Sequence, residues 1–307
     1  VNKRYRMDSK SKTNNRLRIA PLLLIPLLLG GCLLSTNRGQ AATGGQATAK
    51  AHPYRPDHIV IVVEENHSYQ EIAGNAHAPY MNELMAAGAN LTNHYAIEHP
   101  SQPNYLDLFS GSNQGVKNDN PKISFKTDNL ANELLKHGLS FGGYSEGLPK
   151  KGYTGLYDLK TGYARKHNPW VDFTNVPSAA NLPFSSFPGD YDQLPTVSFV
   201  IPNLRHDIHD GTIREADDWL KKNLSGYVKW AKTHNSLFIL TWDEDDLSAK
   251  NKIPTVLVGP MVKQMTVKAK TNHFTILRTI EDLYGLPALG KSKQAKPLDV
   301  WQTQSEK

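Results

Sequence analysis

Hydrophobic positions along the chain fall into short, nearly uninterrupted runs separated by amphipathic stretches. His58-Ile59-Val60-Ile61-Val62-Val63 is β-branched and almost wholly apolar. Such a run predicts a strand buried on both faces, as in a parallel sheet. A helical pattern follows at residues 78–87 and ends at Gly88, a helix stop by composition. Residues 89–95 predict a second strand, 103–109 a short helix ended by Ser110-Gly111, 129–137 a helix followed by Gly138, and 139–144 a short strand. Further on, 196–201, 237–242 and 255–258 read as strands, 213–233 as an amphipathic helix, and 274–284 as a last helix closed by Gly285. Between 147 and 192 the period dissolves into Gly, Pro, Asn and scattered aromatics, which predicts long loops shaping a site. Alternating strands and helices without internal repeat give an α/β class: one domain with a mostly parallel central sheet flanked by helices.

The start of the chain departs from this pattern. Seven of the 35 basic residues and one of the 29 acids lie in residues 1–31, which leaves 28 of each for residues 32–307. The net charge of +6 thus belongs to the leader, and no nucleic-acid surface is implied. A basic segment precedes the apolar run 19–29, which Pro26 interrupts and which is short for a membrane span. Residues 1–31 therefore read as a signal peptide. Leu29-Gly30-Gly31-Cys32 resembles a bacterial lipobox, and Cys32 is the single cysteine, which excludes an internal disulfide and suits lipid attachment. Residues 32–53 are small and polar and read as a flexible tether, with the folded domain over 54–300. The expected location is outside the cytoplasmic membrane, lipid-anchored or extracellular.

In a parallel α/β sheet, sites form at the carboxyl ends of strands. Here those ends gather acids, amides and histidines: Glu64-Glu65-Asn66, then Asn203 with His206-Asp207-Ile208-His209-Asp210, then Asp243-Glu244-Asp245-Asp246, and Asn272-His273 before the last helix. Any one of these suits a helix cap or a solvated turn. Acids crowded after buried strands repel one another, and a divalent cation relieves that repulsion: Mg, Ca or Mn by the oxygen donors, Zn or Mn where histidine joins. His206 and His209 are candidates to contact a phosphoryl group or protonate a leaving group, and Asp207 to orient an imidazole or bind metal. Ser101, in His99-Pro100-Ser101-Gln102-Pro103-Asn104-Tyr105, stands at a helix start, where it suits a cap or a metal-activated nucleophile. The chain carries neither a Gly-x-Ser-x-Gly elbow nor a Gly-x-x-x-x-Gly-Lys-[Ser/Thr] loop.

These segments, together with Ile253 to Pro260 and Asn272 to Asp282, resemble the bacterial phosphoesterase family from about residue 57 to 290. That family holds secreted acid phosphatases and phospholipase C enzymes related to the alkaline phosphatase superfamily. The chain is most similar to its small acid phosphatases, including the mycobacterial secreted type that acts on phosphoinositides. The resemblance implies an alkaline-phosphatase-like fold and one or two divalent metal ions. It implies Ser101 as nucleophile and metal ligand, and Glu65, Asn66, Asp243 and Glu244 as further ligands. Asp207 stays open between ligand and orienting group. It implies that His206, His209 and His273 surround the phosphoryl group, with Asn104 and His99 as substrate contacts. Implied partners are small phosphorylated substrates, phosphoinositides or nucleotides among them, and a membrane through lipid on Cys32. Phospholipase C members carry a Gly-rich, His-containing sequence after the Asp-Glu pair, whereas this chain has Asp245-Asp246-Leu247-Ser248. That departure favours a phosphomonoesterase. A phosphodiesterase of the phospholipase C kind is the second expectation, and a binding lipoprotein without chemistry the third.

Overall fold

The run at 58–63 forms strand β1 (His58–Glu64) in the computed structural model, which describes residues 52–302. The signal peptide, Cys32 and the tether up to residue 51 lie outside the described residues. The other strands are β2 (Ala89–Leu91), β3 (His94–Tyr95), β4 (Phe141–Ser145), β5 (Tyr157–Asp158), β6 (Tyr163–Ala164) and β7 (Asn181–Pro183). They continue with β8 (Val197–Ile201), β9 (Ser236–Trp242), β10 (Thr255–Val258), β11 (Met265–Val267) and β12 (Thr271–Asn272). The helices are α1 (Tyr69–Ile72), α2 (Pro79–Ala87), α3 (Ser101–Ser110), α4 (Leu130–Lys136), α5 (Ile213–Ala231) and α6 (His273–Tyr284).

Eight strands form one sheet in the order β11-β2-β10-β9-β1-β8-β4-β7. Only β10 runs against its neighbours; every other pair is parallel. Along β1, Ile59, Ile61 and Val63 enter a core with α3, α4 and α6, while Val60 and Val62 enter a second core with α2 and α5. Burial on both faces explains the unbroken apolar run, since a strand covered twice has no solvent side for polar residues. Each fully buried Val or Ile contributes about 1.5–3 kcal/mol, so an acid at the end of such a strand stands out against the pattern. The mostly parallel α/β expectation is met.

Several boundaries differ from the sequence reading. The strand expected at 89–95 is two pieces: β2 joins the main sheet, and β3 turns away to pair with β12. The helix expected from Pro103 begins at Ser101. Both glycine stops end helices, for different reasons. Gly285 is left-handed at φ 66°, the usual C-terminal turn. Gly88 is extended, and a side chain there would sit 2.1 Å from the Leu257 carbonyl oxygen. The stretch 147–192 holds three strands of two or three residues and a series of 3-10 turns, elements too short to show a period. At the other end of β1, the His52 and Tyr54 rings pack against Trp301, and the Tyr54 hydroxyl donates to the Gln302 carbonyl.

Candidate active site

The carboxyl ends of β8, β1 and β9 lie side by side, and backbone hydrogen bonds tie the segments leaving them. The Glu65 N–H donates to the Asp207 carbonyl at 2.8 Å, and the Asp243 N–H to the Glu64 carbonyl at 3.0 Å. Asn66 is left-handed at φ 42°, a region that Asn tolerates better than other non-glycine residues. The turn aims its N–H at Asp243 Oδ1 (3.2 Å) and its amide Nδ2 at Glu244 Oε1 (3.1 Å). Ile208 is left-handed at φ 81°, a strained state for a β-branched side chain. Its burial in the α2/α5 core holds it there, and the His209 N–H closes onto Asp207 Oδ1 at 2.8 Å.

Ser101 is the first residue of α3 and 1 % exposed. Pro100 holds the capping position, so the hydroxyl is free for other partners. It lies 3.0 Å from Glu65 Oε2 and 3.2 Å from Glu244 Oε1. A hydroxyl has one proton, so two carboxylates can share it only if one is protonated or a cation joins them. Glu65 Oε1 receives the Tyr105 hydroxyl. His99 Nδ1 lies 2.7 Å from Glu244 Oε2, and its Nε2 lies 3.3 Å from Asp245 Oδ1. The stretch 147–192 contributes as well, with the His167 ring stacked on Tyr105. His167 Nε2 lies 3.1 Å from Glu65 Oε1 and its Nδ1 3.3 Å from Asp207 Oδ2, neither with hydrogen-bond geometry. Lys166, beside it, donates to Asp119 Oδ2 at 2.8 Å.

Four carboxyl groups therefore share a buried site. Burial and the charges of Asp243 and Asp207 hold Glu65 well above the usual carboxylate range. Burial, reinforced by Asp243, pushes Glu244 up to about 9, and burial pushes Asp243 up to about 7. Asp207 is likewise held well above its ordinary value, first by burial. The Lys166 ammonium offsets part of this at Glu65, Asp207 and Glu244. Asn66 Oδ1, Asp207 Oδ2 and Asp243 Oδ2 are buried without a hydrogen-bond partner. Orphaned oxygens among crowded carboxylates fit a divalent cation. Glu65, Asn66, Ser101, Asp243 and Glu244 would hold it at one position. Glu65, His167 and Asp207 place donor atoms within 4.8 Å of one another at a second.

Not every residue expected at the site arrives there. His206 turns away, its Nδ1 2.9 Å from Glu146 Oε2 and its ring stacked on Trp219. His209 lies nearer, its ring centroid 6.0 Å from that of His167, and its Nδ1 pairs with Asp210. His273 is fully buried, with Nε2 2.7 Å from the Asp243 carbonyl; burial lowers it to about 4, so it stays neutral and steadies the Asp243 backbone. Asn104 Oδ1 accepts the Ile97 and Glu98 N–H groups, both at 3.0 Å, and its Nδ2 donates to the Glu98 carbonyl at 2.7 Å. Its amide thus braces the segment that leads to Ser101. Tyr105, Asp119, Lys166 and His167 are the site residues that the sequence reading passed over.

The sequence signature described as "Phosphoesterase family" matches residues 75–287. A phosphatidylinositol-3-phosphatase of Mycobacterium tuberculosis is 45 % identical over 288 residues, covering 92 % of this chain and 95 % of that protein. A phosphate-repressible acid phosphatase of Penicillium chrysogenum is 33 % identical over 271 residues, 80 % of this chain but 65 % of that longer protein. Among solved structures, an alkaline phosphatase superfamily protein of Vibrio parahaemolyticus shares the fold, with a TM-score of 0.56 at 14 % identity over 82 % of this chain and 72 % of that one. With a family signature over most of the chain and a near-full-length relative, this protein belongs to the Phosphoesterase family and is an enzyme of phosphoester hydrolysis.

Proposed function

We propose that the protein is a divalent-cation-dependent phosphomonoesterase acting through a phosphoserine intermediate. The observation that carries this reading is the buried Ser101 hydroxyl between Glu65 and Glu244, with the unpartnered oxygens of Asn66 and Asp243 beside it. A bound divalent cation would lower the proton affinity of the hydroxyl and offset phosphoryl charge. Ser101 Oγ forms a bond to phosphorus as the ester oxygen leaves. The hydroxyl proton passes to Glu65 Oε2, its nearest acceptor. His209 is the proton donor to the departing oxygen, being the imidazole of the Asp207 loop that is both near His167 and partly exposed. Water then cleaves the phosphoserine: its hydroxyl stays on phosphorus as inorganic phosphate, its other proton restores His209, and the proton held on Glu65 returns to Ser101 Oγ.

The mycobacterial relative's name supports a phosphoinositide headgroup as substrate, and the fungal relative's name supports small phosphate monoesters more widely. The turn after Glu244 supports the monoesterase reading. Asp245 is folded back to accept the Leu247, Ala249 and Asn251 N–H groups, in the place of the His-containing loop of phospholipase C members. The basic leader, apolar run and Cys32 support export and a lipid anchor outside the cytoplasmic membrane.

Phosphate release should be measured on an aryl phosphate, a nucleoside monophosphate, phosphatidylinositol 3-phosphate and an aryl diester, before and after chelation and metal add-back. Monoester turnover that chelation abolishes and add-back restores is the expected result. Activity surviving thorough chelation would overturn the cation, and preference for the diester would overturn the substrate class. Cys32→Ala should move the chain from the membrane fraction to the soluble one, as checked by fractionation.

A further inference from the structure

We propose that Lys166 grips the substrate's phosphoryl group beside Ser101, and that Asp119 holds the same place until substrate displaces it. The proposal rests on the phosphatase reading above and names the site's anion-binding residue. Lys166 follows β6 on the 3-10 turn Arg165–His167, with its side chain almost wholly buried. Its ammonium donates to Asp119 Oδ2 at 2.8 Å. The other oxygen, Oδ1, accepts the backbone N–H of Gln102 at 3.0 Å. Gln102 follows Ser101 at the start of α3, so its N–H is one the helix leaves without an internal acceptor.

One carboxylate thus takes a buried ammonium and the N–H next to the nucleophile at the same time. These are the donors that two oxygens of a phosphoryl group require. The position is tied to the reacting atom on both sides. His167, adjacent to Lys166, lies 3.1 Å from Glu65, whose other oxygen lies 3.0 Å from Ser101 Oγ. The charges of Asp119 and Lys166 both act on Glu244, in opposite senses. An ammonium so buried needs an anion at all times. Asp119 supplies one in the free enzyme. It sits on the irregular segment between α3 and α4, and it is 30 % exposed while Ser101 is 1 % exposed. The most accessible member of the arrangement is therefore the one that a phosphoryl dianion would replace. A static ion pair fastening that segment to α3 has the same geometry but predicts the opposite response to neutralising Asp119.

The test compares cation-loaded wild type with Asp119→Asn, Lys166→Met and Lys166→Arg. The probe is inorganic phosphate, as a competitive inhibitor of aryl phosphate turnover and in calorimetric titration. Asp119→Asn keeps the shape and the acceptor for Gln102, and it should tighten phosphate binding and lower KM by about tenfold, the scale of one charge-assisted contact. Lys166→Met should weaken phosphate binding by roughly 10–100-fold, and Lys166→Arg should recover most of the loss. Should Lys166→Met fail to fold, Asp119→Asn and Lys166→Arg still decide. Phosphate affinity unchanged or weakened in Asp119→Asn overturns the proposal, as does wild-type affinity in folded Lys166→Met. If wild type neither releases nor binds phosphate, the phosphatase reading itself falls and takes this proposal with it. If wild type does both and the variants match it, only this proposal falls.

Discussion

The segments leaving β1 and β9 and the segment leaving β8 all carry acids and amides, and they behave differently. In the first pair, Glu65, Asn66, Asp243 and Glu244 all touch one another or Ser101. In the second, Asp207 alone meets the buried carboxyl cluster, His209 stays at its edge beside His167 and paired with Asp210, and His206 leaves for Glu146 and Trp219. The parallel register that sets Glu64 opposite Trp242 delivers residues 65 and 243 side by side. After β8, the Asn203 side chain accepts the N–H groups of Arg205 and His206 and winds the chain into a tight turn. Successive side chains of a tight turn point in different directions. Clustering along a chain becomes convergence in space only where strand register carries it.

Substitutions can break that comparison. Ser101→Ala should have the largest effect, a loss of at least about four orders of magnitude in phosphate release with an unchanged circular dichroism spectrum. Chelation comes next: removing a cation held at 100–1,000 times its Kd withdraws about 3–4 kcal/mol, or roughly 10 °C in the melting curve of a domain this size. Cation affinity should also fall as the pH is lowered, because Glu65, Asp243 and Glu244 bind protons more readily than ordinary carboxylates. Within the β8 loop, Asp207→Asn should lower kcat/KM about 10–100-fold, and His206→Ala should stay within about threefold of wild type. A greater loss from His206→Ala than from Asp207→Asn would reverse the contrast between the two side chains.

A buried carboxyl outside both regions acts on stability and leaves turnover alone. Glu281 accepts the Leu289 N–H and the Ser292 hydroxyl, and burial still raises it from 4.5 to about 7. In this range the folded state binds the proton more tightly than the unfolded chain. Its stability contribution is full below about pH 4.5 and is lost as the pH rises through about 7, on the order of 3 kcal/mol in total. Glu281→Gln should remove that slope from a plot of melting temperature against pH.

Much of the site was legible in the sequence because buried strands leave a clear period and end in polar residues. Glu65, Asn66, Asp243 and Glu244 follow long, buried apolar strands of the described residues, and Ser101 opens a helix whose ten residues are all buried. Lys166 and His167 were not legible. They sit on a three-residue turn in an aperiodic stretch, and their place at the site depends on a long-range contact, the His167 ring stacked on Tyr105 of α3. Their one local signal is a basic triplet, Arg165-Lys166-His167, between the buried aromatics Tyr163 and Trp170. Tyr105 was in plain view within the serine motif, but a tyrosine at helical spacing reads as core. His206 and Asp207 are adjacent, and only the left-handed Ile208 and the Asn203 turn decide which one enters the site.

The packing of His52 and Tyr54 on Trp301 has a practical consequence. β1 runs seven residues from His58 to Glu64, about 20 Å of extended chain, so the polypeptide joins the fold at the rim of the sheet opposite Ser101. A fusion partner or a solid support attached ahead of His52 meets the far rim and leaves the approach to the serine clear. Immobilised protein should therefore keep its turnover, whereas a graft into the segment between α3 and α4, which carries Asp119, would obstruct it.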